Sequence, residues 1–288
     1  MREPDAADAD GRRSAVLRAP QLDAFFGALS GATTRLLMLD YDGTLAPFRM
    51  EPHRARPYPG VCELLAEIMA SGTTRVVIIS GRWVRDLIPL LGLGRLPEIW
   101  GSHGRERLRP DGRYEFEEIP PSAMHALLKA DAWETDLRQA GGRVERKPAS
   151  LAIHWRGLPV ARIERLRAHI LARWDALPGR EGLDLRQFDG GIEVVVRGCS
   201  KATAVETLLA EAGRGAISAY LGDDLTDEDA LGAIYGRGLG VLVSDACRRT
   251  AAEAWLRPPQ EVRKFLEQWI AACGSAGRRA HAGGEPGP

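Results

Sequence analysis

Two carboxylates stand one residue apart in Asp40-Tyr-Asp42-Gly-Thr44, directly after the apolar run Leu36-Leu-Met-Leu39. Two acids at the mouth of a buried strand repel each other, and one pKa rises unless a cation keeps both ionised. The spacing suits Asp40 as a nucleophile and Asp42 as a proton donor, with a metal ion beneath them. The plain alternative is an Asp-Gly turn after a strand. A second acid cluster argues against that alternative. Asp223, Asp224, Asp227, Glu228 and Asp229 fall within seven residues, just past the apolar Ile217–Leu221. Helix capping accounts for Asp227 to Asp229 in part, because carboxylates suit the positive end of a helix. It does not account for Gly222-Asp223-Asp224 at the strand's end. Two acidic strand tips make an all-oxygen site for a hard divalent ion, and Mg²⁺ bound in this way keeps some waters and leans on substrate phosphate.

Other residues complete a phosphate site. Ser80-Gly81-Arg82 follows the apolar Arg75–Ile79 and precedes a helix starting near Trp83. A hydroxyl, a glycine that permits close backbone approach and helix N-terminal amides form a compact anion-binding arrangement; a simple Ser N-cap is the competing account. The chain holds 39 basic residues, of which only Lys129, Lys147, Lys201 and Lys264 are lysine, so a retained Lys hints at a need for a compact ammonium. His103, between Gly101-Ser and Gly104, either touches substrate or phosphate or marks a turn. Together these groups describe phosphoryl transfer through an aspartyl-phosphate. Asp40 attacks phosphorus while Mg²⁺ and Lys201 neutralise the equatorial oxygens. Asp42 protonates the leaving sugar oxygen and then deprotonates water.

The elements that must position these groups alternate in two textures. Short apolar runs at 36–39, 75–79, 217–221 and 239–243 read as parallel strands buried on both faces, whose carboxyl ends are where open α/β sheets bind ligands. Helices are expected at Gln21–Leu29, at Val61–Ala70, after Trp83, from Ser200-Lys201, from Thr226, after Val243 and at Glu261–Ala271. Ala46–Gly60 is a Pro- and Arg-rich loop over the strand mouth, suited to an active-site lid. From Arg107 to Val196 the strands alternate instead: Tyr114–Glu117, Arg143–Lys147, Leu151–Arg156, and the hairpin Leu183–Phe188 with Ile192–Val196. Helical patterns at Met124–Gln139 and Val160–Trp174 lie between them. The expected architecture is a doubly wound parallel-sheet core, 20–106 and 197–273, interrupted by an α+β cap, 107–196, with polar tails at 1–19 and 274–288.

The 288 residues suit two modest domains, with 44% hydrophobic and 27% charged residues and zero formal net charge. No global field points to nucleic acid or an anionic membrane. The acidic N-terminus lacks a signal peptide's basic and apolar segments, and no apolar run approaches the roughly 20 residues of a membrane span. Four scattered cysteines fit a reduced cytoplasmic enzyme.

The ordered set Asp-Tyr-Asp-Gly-Thr-Leu (40–45), Ser-Gly-Arg (80–82), Lys201 and Gly-Asp-Asp-Leu-Thr-Asp-Glu (222–228) resembles the haloacid dehalogenase (HAD) superfamily. Gly-Ser-His-Gly (101–104), Val144-Glu-Arg-Lys-Pro-Ala-Ser-Leu-Ala-Ile-His-Trp-Arg156 and Gly191-Ile-Glu-Val194 narrow the resemblance to trehalose-6-phosphate phosphatases, over roughly residues 33–270. That resemblance implies Asp40 as nucleophile and Asp42 as general acid/base. It implies Asp223 as metal ligand alongside Asp40, Asp224 and Asp227 as ligands or outer-shell supports, and the Asp42 carbonyl completing an Mg²⁺ site. Ser80 and Lys201 match the phosphate-binding residues, and Glu145, Lys147 and Glu193 match cap residues that hold sugar hydroxyls. Glu145 and Lys147, two apart on a strand, share one face. Functional pairing with a trehalose-6-phosphate synthase is implied as well. Val-Arg-Gly-Cys-Ser before Lys201 departs from the family's more usual proline and Asn-Lys-Gly, and the basic loop Arg49–Arg56 matches no family role. The alternatives are a related phosphatase acting on glycosyl-glycerate or sucrose phosphate, and a non-catalytic sugar-phosphate sensor. A sensor could dispense with nucleophile, acid or metal ligand, and none is missing here.

Overall fold

The computed structural model describes residues 19–49, 51–188 and 190–281, with backbone only at 19–21 and 275–281. In chain order, helix α1 (Ala19–Gly31) leads into strand β1 (Arg35–Leu39), α2 (Val61–Ala70), β2 (Thr74–Ile79), α3 (Val84–Leu91) and β3 (Glu98–Gly101). Next come the hairpin β4 (Glu106–Leu108) and β5 (Tyr114–Phe116), α4 (Pro121–Asp131), α5 (Glu134–Gln139), β6 (Arg143–Lys147), β7 (Ser150–His154), α6 (Val160–Asp175), β8 (Leu183–Phe188) and β9 (Gly191–Val196). The chain closes with α7 (Lys201–Ala212), β10 (Ile217–Gly222), α8 (Glu228–Ile234), β11 (Leu239–Val243), β12 (Ala254–Leu256) and α9 (Gln260–His281).

Every residue of β1 and β11 is buried, as expected of strands covered on both faces. They belong to an eight-stranded sheet ordered β12-β11-β10-β1-β2-β3-β4-β5, parallel from β12 to β3. Leu37, Leu39, Val76 and Ile78 point to one face, against Leu65 and Ile68 of α2 and Phe265 and Trp269 of α9. Leu36, Met38, Val77 and Ile79 point to the other, against Val205 and Leu208 of α7 and Leu231 and Ile234 of α8. The chain builds outward from β1 in one direction, then returns to β1's other edge with β10. This doubly wound order puts the topological switch between β1 and β10, where their carboxyl ends open a crevice.

A second sheet, ordered β6-β7-β9-β8, is antiparallel. Its period-2 alternation sends Val144, Leu151, Ile153, Ile192 and Val194 into a core with Ala126 and Leu127 of α4 and Leu166 and Ile170 of α6. The opposite face carries Glu145, Lys147 and Glu193. The pairing Glu145↔Ala152↔Glu193 puts the two glutamates in one cross-strand row with a small residue between them, which leaves space above that row.

Several expectations shift. Tyr114–Phe116 extends the large sheet antiparallel through β4, so the insert starts after Phe116 and not at 107. Strand alternation alone does not say which sheet's edge a hairpin joins. The pattern at 124–139 breaks into α4 and α5 around Ala132-Trp133. The stretch after β11 forms a loop and the three-residue β12 before the last helix. Gly274, expected to begin a polar tail, continues α9 to His281, while residues 1–18 and 282–288 lie outside the described residues. No described helix is long and apolar enough to cross a membrane.

Candidate active site

Asp40 is the first residue past β1, and its N–H donates to the Leu221 carbonyl at 2.8 Å, which sets it beside the acidic tip of β10. Lys201 comes from the other side of the crevice. It is the first residue of α7, whose N-cap Ser200 accepts the Thr203 N–H with its hydroxyl. The buried Lys201 Nζ donates to Asp40 Oδ1 at 2.5 Å and to Asp227 Oδ1 at 2.7 Å. Burial pulls the ammonium's pKa down, but Asp227 and Asp40 outweigh it and hold Lys201 charged.

Asp227 is fully buried and saturated. Its Oδ1 also accepts the Tyr220 hydroxyl, and its Oδ2 accepts the backbone N–H of Asp223 at 3.1 Å and of Asp224 at 3.0 Å. One carboxylate therefore shapes the whole turn after β10. Gly222 is required there, since a Cβ would fall 2.6 Å from the Asp227 carboxyl carbon. From outside, Arg248 donates to the carbonyls of Asp223 and Asp224 at 3.1 Å each and pairs with Glu228.

Asp40, Asp223 and Asp227 each offer an oxygen within 4.8 Å of the others. Asp40 Oδ2 and Asp223 Oδ1 are buried with no donor on them. Burial pushes the Asp40 carboxyl up to about 7 despite Lys201, and burial together with Asp40 and Asp227 pushes Asp223 well above its ordinary value. Two undonated carboxylate oxygens on a hard-oxygen set, with three acids facing one ammonium, fit a divalent cation. Asp40 and Asp223 have the capacity to hold it, whereas Asp227 is occupied as their support. Gly43 closes over this place at φ +89°, where a Cβ would lie 2.1 Å from Asp223 Oδ2. Asp224 caps the next turn, its Oδ1 accepting the Leu225 N–H at 2.6 Å.

Asp42 and Arg82 form a pair that sequence spacing did not reveal. Arg82 Nε donates to Asp42 Oδ2 and Nη2 to Oδ1, both at 2.6 Å, while Nη1 donates to the Pro52 carbonyl at 3.0 Å. The expected anion donor is thus spent on the expected proton donor. Ser80 is buried and accepts the Arg82 N–H at 3.1 Å. Gly81 is pressed by the His103 ring, whose Cε1 would stand 2.6 Å from a Cβ. The loop expected as a lid is pinned on its far side by Tyr41 Oη donating to the Ala55 carbonyl at 2.6 Å and by the Tyr58 N–H on the Leu45 carbonyl at 2.9 Å.

The antiparallel sheet faces this crevice. Glu193 is 2% exposed; Oε1 accepts Ser150 Oγ at 2.6 Å and Lys147 Nζ at 3.0 Å, and His103 Nε2 of the core lies 2.8 Å from Oε2. Burial would raise the Glu193 pKa, but Lys147 and His103 hold it well below the usual carboxylate range. Glu145 accepts from His154 Nε2 at 2.8 Å. There too burial is outweighed, by His154 and Lys147, and the carboxyl falls to about 2. Arg156 stacks over Phe48, 4.1 Å from the ring centroid, joining the small sheet's end to the loop after β1.

Asp40, Asp42, Ser80, Gly81, Arg82, His103, Glu145, Lys147, Glu193, Lys201, Asp223 and Asp224 line one cavity of about 410 Å³, and Asp227 lies beneath it. Phe48, Arg49, Arg143 and Phe188 also line it. Tyr220 and Arg248, which hold the acidic turn, escaped sequence reasoning. Tyr220 left one signal, a phenol inside an apolar strand, whose polar tip must find a partner.

A family model described as trehalose-phosphatase matches residues 38–249. A trehalose-phosphate phosphatase of Mycobacterium avium (strain 104) is 32% identical, over 92% of this chain and 75% of its own length. The C-terminal domain of a C. albicans trehalose-6-phosphate phosphatase superposes with a TM-score of 0.73 at 20% identity, covering 92% of this chain and 99% of that one. A HAD-superfamily phosphatase from Bacteroides thetaiotaomicron superposes at 0.55 with 19% identity, over 82% and 95% of the two chains, and so shares the fold. With strand order, acidic crevice and matched sequence in agreement, the chain is a HAD-fold phosphatase that belongs to the trehalose-phosphatase family.

Proposed function

We propose that this phosphatase hydrolyses trehalose 6-phosphate to trehalose and phosphate through an aspartyl-phosphate on Asp40, with Mg²⁺ held by Asp40, Asp223 and the Asp42 carbonyl. The observation that carries the proposal is the shared cavity: Asp40, Asp42, Ser80 and Lys201 on its core wall, Glu145, Lys147 and Glu193 on the wall facing it. The core wall suits phosphorus and the facing wall suits a polyol.

Bound Mg²⁺ would supply neutralisation of the phosphoryl oxygens. Lys201, fixed by Asp227, adds a positive charge beside Asp40 that cannot drift. An Asp40 oxygen attacks phosphorus, the bond to the sugar oxygen breaks, and that oxygen takes its proton from Asp42. Water then attacks the aspartyl-phosphate, giving its proton to Asp42 and freeing phosphate. Asp42 acts only after Arg82 lets one oxygen go and that oxygen has taken a proton from solvent. A dianionic phosphate entering beside Ser80 competes for that guanidinium and frees the acid. The insert, roughly 117–196, serves as the specificity cap, shutting water out and testing hydroxyls.

Phosphate release measured across a panel of sugar phosphates tests this. A kcat/KM for trehalose 6-phosphate at least tenfold above glucosyl-glycerate and sucrose phosphates is expected. Preference for either competitor would reassign the substrate within the same chemistry, and release from none of them would favour the sensor.

A further inference from the structure

His103 is held in an unusual way for a turn residue. Ser102 and His103 occupy the left-handed region in succession, at φ 48° and 57°. Glycines flank the pair at 101 and 104, yet the two strained positions are not glycine. The backbone N–H of His103 donates to the Ser80 carbonyl at 3.0 Å, and its ring lies on Gly81. The ring then reaches across to the cap, where Nε2 meets Glu193 Oε2 at 2.8 Å. Glu193 passes the contact on, since its other oxygen holds Lys147 Nζ at 3.0 Å.

We propose that His103 is a positioning residue whose contact with Glu193 seats the cap on the core and couples the Ser80–Gly81 phosphate loop to Lys147 on the sugar wall. The proposal rests on the reading of that wall as the one that tests the sugar. Glu193 is almost fully buried, its Oε1 held by Ser150 Oγ and Lys147 Nζ and its Oε2 within 2.8 Å of His103 Nε2. Filling the phosphate loop therefore steadies His103, and His103 steadies the Glu193–Lys147 pair, so phosphate and sugar are recognised as one event.

The cap joins the core through two linkers, at Glu117–Glu118 and Arg197–Gly198. Arg105 ties both together, donating to the Glu117 carbonyl at 3.2 Å and to the Arg197 carbonyl at 2.9 Å. Loosening the cap's seat raises opening at these linkers, which amide hydrogen exchange reads without any substrate. Exchange is measured on the full chain and on His103→Ala, Glu193→Ala, the double variant and His103→Gln, which keeps a donor. The expected result is roughly tenfold faster linker exchange in each Ala variant, no further gain in the double variant, and His103→Gln near the unaltered chain. Additive effects, unchanged linkers, or a Gln variant no better than Ala would overturn the proposal. Turnover of trehalose 6-phosphate by the unaltered enzyme is measured alongside. Its absence would remove the proposed substrate, while the exchange pattern still decides the coupling.

Discussion

Asp227→Asn separates a metal ligand from an anchor. The Asp227 carboxylate takes four donors: Lys201 Nζ, the Tyr220 hydroxyl and the amides of Asp223 and Asp224. Asparagine keeps one oxygen and turns an NH₂ toward a group that donates. Removing one partner of a buried, hydrogen-bonded ion pair costs about 3–5 kcal/mol, because the remaining charge stays buried. Lys201 retains Asp40, so the lower part of that range applies. For a chain of this size about 3 kcal/mol is a fall in Tm of about 5 °C. Lys201 also loses its second fixed partner, and kcat should fall at least tenfold. Thermal unfolding in EDTA, steady-state kinetics and Mg²⁺ titration are run on both proteins. An anchor predicts the Tm loss in EDTA and an Mg²⁺ requirement changed by less than about threefold. An unchanged Tm with an Mg²⁺ requirement raised tenfold or more would refute the anchor and make Asp227 a ligand.

Three further outcomes follow from the same geometry. Gly43→Ala should raise the Mg²⁺ requirement sharply or abolish turnover, because its Cβ would meet Asp223 Oδ2 at 2.1 Å in a left-handed backbone; Mg²⁺-dependent phosphate release at wild-type levels would contradict this. Glu145→Ala and Lys147→Ala should each lower kcat/KM for trehalose 6-phosphate at least tenfold, about 1.4 kcal/mol, and spare a small aryl phosphate, whereas equal losses on both substrates would assign these residues to the core chemistry or the fold. Acid should weaken the cap: Glu145 and Glu193 have folded pKa values below the unfolded value of about 4.3, so their stabilisation is full above about pH 5 and is lost as pH falls toward 2. Unfolding followed against pH should show Glu193→Gln flattening that acid limb, and an unchanged limb would mean other carboxylates control it.

The buried runs of β1, β2, β10 and β11 were legible because a parallel strand covered on both faces must be continuously apolar. The acids past β1 and β10 were legible because such a run rarely closes on paired carboxylates without a purpose. Alternation likewise marked the strands of the small sheet and placed Glu145 and Lys147 on one face. Pairing across long separations was not legible. Tyr114–Phe116 alternates identically whichever sheet it joins, and the choice rests on backbone pairing to β4. Ala254–Leu256 is too short to carry a period, and Gly274 did not stop α9, whose Ala-rich stretch tolerates it. Arg82 reaches Asp42 from 40 residues away, and His103 reaches Glu193 across two sheets. Only the folded geometry brings these residues together.

A covalent phosphoryl group on Asp40 is detectable by acid quench followed by mass spectrometry. Enzyme in excess is mixed with trehalose 6-phosphate and Mg²⁺, quenched in acid within milliseconds and digested. The peptide carrying Asp40 should gain one phosphoryl group, absent when the substrate is omitted and in Asp40→Asn. Phosphate release with no such adduct at any quench time, or an undiminished rate in Asp40→Asn, would contradict the aspartyl-phosphate account.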